Sequence, residues 1–347
     1  MTIVKEHLPS RFEELDALRG IAALMVVVFH LTMGREEAKL GFKVGTTGVD
    51  LFFIISGFVI SMSINKISNA MEFVINRVSR LFPTYWASVT FTFAIITIYG
   101  LTKSEPIRWA DYVGNMTMFQ YYLNIPNLDG PYWTMTTEML FYAFMLLLFQ
   151  ARLLRYIHLI GSLLAILIVI SSLFFWGPQT QSVFILIPLL EFFPLFFAGI
   201  LFYKIKTETK YFYHYLLLAI CLASQILLFA HAGGSKSFIN QIEYAIALSV
   251  YFLLFLLFVH NKLSFIRKRF FLFLGKISFA LYLTHLYLLN GHVLPLLINR
   301  LGIHFWIASL LVCLPISITV ATAITYWIEI PYGAKMKKCA YKYIFNK

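Results

Sequence analysis

Leu15-Asp16-Ala17-Leu18-Arg19-Gly20-Ile21-Ala22-Ala23-Leu24-Met25-Val26-Val27-Val28-Phe29-His30 is an apolar run interrupted by an acid, an arginine and a histidine. Continued to about residue 33, it is long enough to cross ~30 Å of hydrocarbon, which takes ~20 helical residues. An ionisable side chain inside such a span costs about 2.5–3.5 kcal/mol near the centre of the helix, so its presence points to a functional need. Arg19 and His30 are eleven positions apart, close to three helical turns. They therefore share a face and lie about 16 Å apart along the axis. Read singly, a snorkelling arginine and a histidine packed at a helix end would account for them; the shared face favours a joint role.

The rest of the chain repeats the pattern. Of its 347 residues 60% are hydrophobic and 13% charged, with mean hydropathy +0.78. A soluble domain carries about 25% charged residues, so much of this surface must face lipid. Ten stretches are long enough to span, at approximately 15–33, 46–65, 83–101, 132–149, 156–176, 183–203, 211–231, 240–260, 271–290 and 304–328. In lipid they must be helices, because an open sheet edge would leave backbone groups unpaired. The expected fold is all-α, a polytopic bundle of about ten transmembrane helices, none of them interrupted in a paired fashion. Cys221, Cys313 and Cys339 show no ligand spacing, so neither a metal site nor a disulfide framework is expected. Glu13, Glu14 and Asp16 in the polar lead argue against a signal peptide.

Lys and Arg number 28 against 16 Asp and Glu. In a soluble protein this would suggest nucleic acid; in a membrane protein it reports topology, and no nucleic-acid partner is expected. With the N-terminus inside, Arg35, Lys39, Lys43, Lys103, Arg108, Lys236 and Arg300 fall outside, Lys276 lies within the ninth span, and twenty fall inside. Both termini are therefore expected in the cytoplasm. Most connections are short, but Thr102 to Pro131 forms a long outer loop rich in aromatic and polar residues. Such a loop is either functional or an interfacial anchor. Residues 1–333 form the expected membrane domain, and 334–347 a basic cytoplasmic tail suited to anionic lipid.

Other charges interrupt the later spans. Asp50, in Gly48-Val49-Asp50-Leu51, should sit at the depth of His30, either accepting from its imidazole and fixing the tautomer, or capping its own helix. Ser56 and Gly57 after it suit close helix packing. Arg77 and Arg80 lie at i and i+3 on one face, suited to phosphate oxygens or to an ordinary positive-inside signal, and Pro83 fits the first turn of the next span. Glu138 lies about two turns into the fourth span, again near the depth of His30, while Glu191 stands alone in the sixth. Two layers result: Asp16, Arg19, Arg77, Arg80 and Glu329 at the cytoplasmic edge, and His30, Asp50, Glu138 and His285 in the outer half.

Six stretches in order carry a resemblance: LDALRGIAALMVVVFH (15–30), GVDLFFIISGFVIS (48–61), RVSRLFPTYW (77–86), YWTMTTEMLFY (132–142), LGKISFALYLTH (274–285) and YWIEIP (326–331). The sequence resembles the acyltransferase-3 family of membrane acyltransferases, which includes O-acetyltransferases of bacterial surface polysaccharides. It departs in the fourth span, where Thr134-Met135 follows Trp133 in place of Ser-Leu, keeping the hydroxyl. The hydrolase-like domain fused to some members is not expected after the tenth span, which implies direct transfer or a separate extracytoplasmic partner protein. The resemblance implies a multi-pass protein of the bacterial plasma membrane that moves an acyl group, usually acetyl, from cytoplasmic acyl-CoA to a sugar hydroxyl, with His30 and Arg19 essential and Arg77 and Arg80 important.

The expected site follows. Arg19, Arg77 and Arg80 would hold the phosphates of acyl-CoA, whose pantetheine arm would thread towards His30. His30 would act as general base or become acylated itself, with Asp50 or Glu138 orienting or stabilising it. Tyr132 and Trp133 are candidate contacts for the glycan acceptor. The alternative is a transporter or exporter of a polysaccharide or its precursor, using the same charges as substrate or proton sites.

Overall fold

A computed structural model of the chain describes residues 11–36, 42–102, 106, 108–207, 211–231 and 234–345. Of the basic residues that set the expected topology, Lys5, Lys39, Lys103, Lys210 and Lys347 lie outside these. The described residues contain no strand. The helices are α1 (Glu13–Thr32), α2 (Gly48–Ile64), α3 (Ala70–Thr102), α4 (Trp109–Asn115), α5 (Trp133–Gln150), α6 (Ile157–Phe174), α7 (Pro178–Leu186), α8 (Leu189–Thr207), α9 (Phe212–Leu228), α10 (Gln241–Val259), α11 (Arg269–Thr284), α12 (Leu286–Leu288), α13 (Leu314–Ile324) and α14 (Ile330–Phe345). Eight helical segments are long and apolar enough to cross a membrane, and counting each of two bent pairs as one span gives ten. The protein is an all-α, multi-pass membrane protein.

The lipid face is visible on α6. Leu159, Leu163, Leu167 and Phe174 are exposed, whereas Gly161, Ala165, Ile168 and Ser172 are buried. Large apolar side chains outward, with Gly161, Ala165 and Ser172 inward beside Ile168, reverse the pattern of a soluble helix and suit a hydrocarbon solvent.

Two glycine crossings set the frame of the bundle. A Cβ on Gly275 would lie 2.0 Å from the Asp16 carbonyl oxygen, and one on Gly20 would lie 2.6 Å from that of Phe271. α1 and α11 therefore meet backbone to backbone. α2 and α8 do the same, with Gly57 against the Phe196 carbonyl and Gly199 against that of Ile54, each 2.1 Å from an added Cβ. Without a hydrophobic drive between helices in lipid, such close approach is how two spans gain packing.

Three expectations change. The third span begins at Ala70, so Arg77, Arg80 and Pro83 lie inside α3 and not before it. Pro83 has no N–H to offer the Ser79 carbonyl one turn back. Gly333 of α14 packs against that carbonyl, where an added Cβ would approach to 2.8 Å. Tyr341 also donates to Glu72 at 3.2 Å, so the basic tail continues as helix against α3 as far as residue 345.

The sixth and ninth spans are each bent by 59°. In the sixth, Ile187 is extended (φ −126°, ψ 76°) because the following Pro188 disfavours the helical region, and α7 stops there. In the ninth, His285 Nδ1 faces the carbonyls of Tyr282 and Leu281 at 2.9 and 3.2 Å, and α11 ends at Thr284 beside it. Both breaks fall in the second half of the chain, so they are not the paired interruption of two halves that the sequence argued against.

Candidate active site

The basic residues at one end of the bundle gather first. Arg19 comes from α1, Arg77 and Arg80 from adjoining turns of α3, and Glu329 from the π-helical turn that follows α13. With Asp16, Lys66, Lys276 and Lys337 they border a cavity of about 690 Å³. Arg77 donates to Ser63 at 3.1 Å, but Nε of Arg19 and Nε of Arg77 are buried without hydrogen-bond partners. Neither Arg19 nor Arg80 makes an ion pair with another described residue. Guanidinium groups with donors to spare are suited to anionic oxygens. In the sequence Lys66 and Lys337 read as topology signals, Lys337 within the basic tail, and Lys276 stood out only by lying inside an apolar span.

Arg19, Arg77, Arg80 and Val59 also line a constricted cavity of about 70 Å³, together with Ser56, Glu138, Tyr142 and Tyr282. Glu138 accepts from Ser56 at 3.1 Å and from the Tyr142 hydroxyl. Its level differs from the expectation: it lies with the arginines rather than with His30. The reason is the entry of α5. Trp133, at the start of that helix, already borders the cavity of His30, and Glu138 is five residues, or about 7.5 Å, further along.

Val49 and Tyr282 line both this constriction and a third cavity of about 520 Å³, bordered by His30, Asp50, Trp133, Glu191 and Lys236. His30 Nδ1 is 3.0 Å from the Val26 carbonyl oxygen and 2.9 Å from His285 Nε2. The tautomers follow from the partners. His285 Nδ1 faces two carbonyls, which only accept, so it carries the proton and Nε2 offers a lone pair. His30 Nδ1 faces a carbonyl and that lone pair, so it is the donor, and His30 Nε2 is left as the basic nitrogen. Asn290 adds a hydrogen bond to the His30 carbonyl.

The partner expected for His30 was Asp50; the structure puts His285 there. Asp50 is buried, accepts from Tyr244 at 2.9 Å and lies 3.5 Å from Lys236 Nζ. It stands in the first turn of α2, whose N-cap is Thr47. Lys236 is also 3.7 Å from Glu191, so the lone acid of the sixth span and a basic residue assigned to a loop form one buried cluster. Trp133 is partly exposed in this cavity, whereas Tyr132 is buried, bonded to Thr92 at 3.0 Å, and lines none of the three cavities. Among the described residues no group of three or more His, Cys, Asp or Glu is placed to hold a metal ion.

The bundle defines a multi-pass membrane protein with a cationic cavity at one end and a buried imidazole pair further in. The acyltransferase domain model Acyl_transf_3 matches residues 12–325, and the chain belongs to that family, acyltransferase-3. The chain is 23% identical over 286 residues to ORF330 of Acidianus two-tailed virus, named for acetyltransferase activity, covering 78% of this chain and 81% of that protein. It is 27% identical over 149 residues to the acyltransferase MdmB of Streptomyces mycarofaciens, 38% of each chain. Over 61 residues it is 36% identical to the exopolysaccharide production protein ExoZ of Rhizobium meliloti, 17% of this chain and 18% of that one. No solved structure matches it. The protein is a membrane O-acyltransferase.

Proposed function

We propose that the protein transfers an acyl group, acetyl in the simplest case, from cytoplasmic acyl-CoA to a hydroxyl of a cell-surface or lipid-linked glycan in a bacterial plasma membrane. The observation that carries this reading is the succession of adjoining cavities, which share Arg19, Arg77 and Arg80 and then Val49 and Tyr282 in their walls, from the basic cluster to His30. The phosphates of coenzyme A match the cationic cavity, and the adenosine end remains outside the narrow part. The constriction suits a slender pantetheine arm. The ~16 Å rise from Arg19 to His30 is within reach of such an arm.

His30 Nε2 takes the proton of the acceptor hydroxyl as the oxygen attacks the thioester carbonyl. The C–S bond breaks, and the departing thiolate takes that proton back, giving the ester and free coenzyme A. His285 accepts from Nδ1–H and steadies the imidazolium in between. Glu138 holds the Ser56 and Tyr142 hydroxyls beside the route, and Asp50 serves the acceptor side. Positioned proton transfer contributes about 10²–10⁴-fold, and orientation in a water-poor cavity supplies further acceleration. The two bent spans, which an exporter would use for gating, place His285 and Glu191 beside this cavity.

The test is transfer of radiolabelled acetyl from acetyl-CoA to native glycan in membranes. His30→Ala at unchanged protein level is expected to lower transfer by at least about 10²-fold; normal transfer in that variant would remove His30 from the mechanism. Flux of unmodified glycan without acyl-CoA consumption would favour export.

A further inference from the structure

A fourth cavity adjoins that of His30 and has no part in the acyl-transfer steps above. It measures about 410 Å³ and is walled by Tyr121, Trp133, Trp176, Phe184, Glu191 and His231. Trp133 and Glu191 belong to both cavities, so the two meet at those side chains. Its aromatic wall is held in place. Trp176 stacks on His231 at 3.7 Å between centroids and meets Phe184 edge-on at 5.3 Å. Tyr121 and Tyr122 donate to the carbonyls of Ile185 and Leu186, each at 2.7 Å. Those carbonyls end α7, and a helix stopped ahead of Pro188 leaves them without intrahelical donors. The loop before α5 is thereby fixed as the rim of the cavity.

Charge sets the other part of the argument. Lys236 stands between Asp50 and Glu191, one cation against two carboxylates. Asp50 Oδ2 is buried, belongs to a residue lining the His30 cavity, and has no hydrogen-bond partner. A carboxylate oxygen at that position can accept from a ligand hydroxyl. Flat aromatic faces offer C–H-rich ring surfaces a platform, and among the described residues Lys236, already engaged by two acidic side chains, leaves no free lysine there for an acidic ligand.

We propose that the two cavities form one acceptor cleft for a glycan of at least two uncharged rings. The ring to be acylated lies in the His30 cavity with a neighbouring hydroxyl on Asp50 Oδ2. The adjoining ring lies against Trp176 and Tyr121. This rests on the acyl-transfer reading and specifies its acceptor.

The experiment uses the purified full-length protein in liposomes with radiolabelled acetyl-CoA. The acceptors are fragments of the surface polysaccharide of cells that make the protein, cut by partial acid hydrolysis and sorted by ring number and charge. Neutral two-ring fragments are expected to exceed one-ring fragments in kcat/KM by about tenfold, the effect of one well-placed aromatic contact, with little further gain at three rings. Acidic fragments of the same length should fall below neutral ones by a similar factor. Trp176→Ala should raise KM for two-ring fragments and leave the one-ring values unchanged, while Trp176→Phe keeps most of the discrimination. Equal kinetics for one and two rings, or a Trp176→Ala loss shared by both, would overturn the cleft while leaving acyl transfer standing. If no fragment is labelled although acetyl-CoA still binds, the glycan acceptor itself falls, and the cleft with it.

Discussion

At His30 the side chain's chemistry depends on which nitrogen is tied down. Nδ1 meets Val26 and His285, and the proton of His285 is itself fixed by Tyr282, so Nε2 is the nitrogen left for the proposed proton transfer. His285→Phe is therefore expected to lower kcat by at least about tenfold, the equivalent of 1.4 kcal/mol in orientation, without changing acetyl-CoA binding. His285→Gln, whose carbonyl can still accept from Nδ1–H, should recover part of that loss; stopped-flow transfer beside equilibrium binding separates the two effects. Asp129, in the loop before α5, supplies a second prediction. Burial pushes its carboxyl up from 3.8 to about 7, against the opposing hydrogen bonds from the Tyr287 and Gly130 amides. The folded state thus favours the protonated acid. Stability from this group is present below pH 4 and is lost as pH rises to about 7, where the penalty reaches on the order of 4 kcal/mol. Asp129→Asn should raise the melting temperature at pH 8 and change it little at pH 4, as thermal unfolding in detergent would show.

At the scale of the helices, the Gly20–Gly275 crossing governs where Arg19 and His30 stand relative to His285. Gly275→Ala would force a methyl into the Asp16 carbonyl, a backbone atom that cannot move aside. Overpacking of this kind costs about 1–3 kcal/mol in a tolerant core, and here the upper end or more is expected. Gly291→Ala has nothing within 4 Å and serves as the control. Fluorescence-detected size exclusion after graded heating should show a marked drop for the first variant and little for the second. α3 illustrates how an element departs from a local reading. Pro83 suggested a helix start, yet the helix runs through it, with Gly333 of α14 packed on the carbonyl that the proline leaves free.

For the whole molecule, the proposed direction of transfer requires the arginine cavity to face the cytoplasm. Cys339 is exposed while Cys221 and Cys313 are buried, so the natural sequence carries its own topology probe. A membrane-impermeant maleimide should label Cys339 in inverted vesicles and leave it unlabelled in intact cells; the reverse pattern would invert the orientation read from Lys and Arg. At the same cavity, Arg77→Ala combined with Arg80→Ala is expected to abolish measurable acetyl-CoA binding in a filter assay. The remaining binding of the wild type should weaken as salt rises. Unchanged binding in the double variant would move the nucleotide site elsewhere.

Helical class and approximate spans were legible in the sequence, and so were Arg19, His30, Arg77 and Arg80 as candidates, because lipid makes every buried charge conspicuous in an apolar run. Depth along a span was legible only where the helix starts at the membrane edge. α5 starts deeper, at the level of the His30 cavity, and so Glu138 came out beside the arginines. Lys236 shows the opposite limit: a basic residue in a loop reads as topology until tertiary contacts place it between Asp50 and Glu191. The bends at Pro188 and His285 and the pairing of His30 with His285 also belong to the tertiary structure. Hydropathy records whether a residue can lie in lipid, whereas these features depend on which helices touch, which is set by packing between residues up to 255 positions apart.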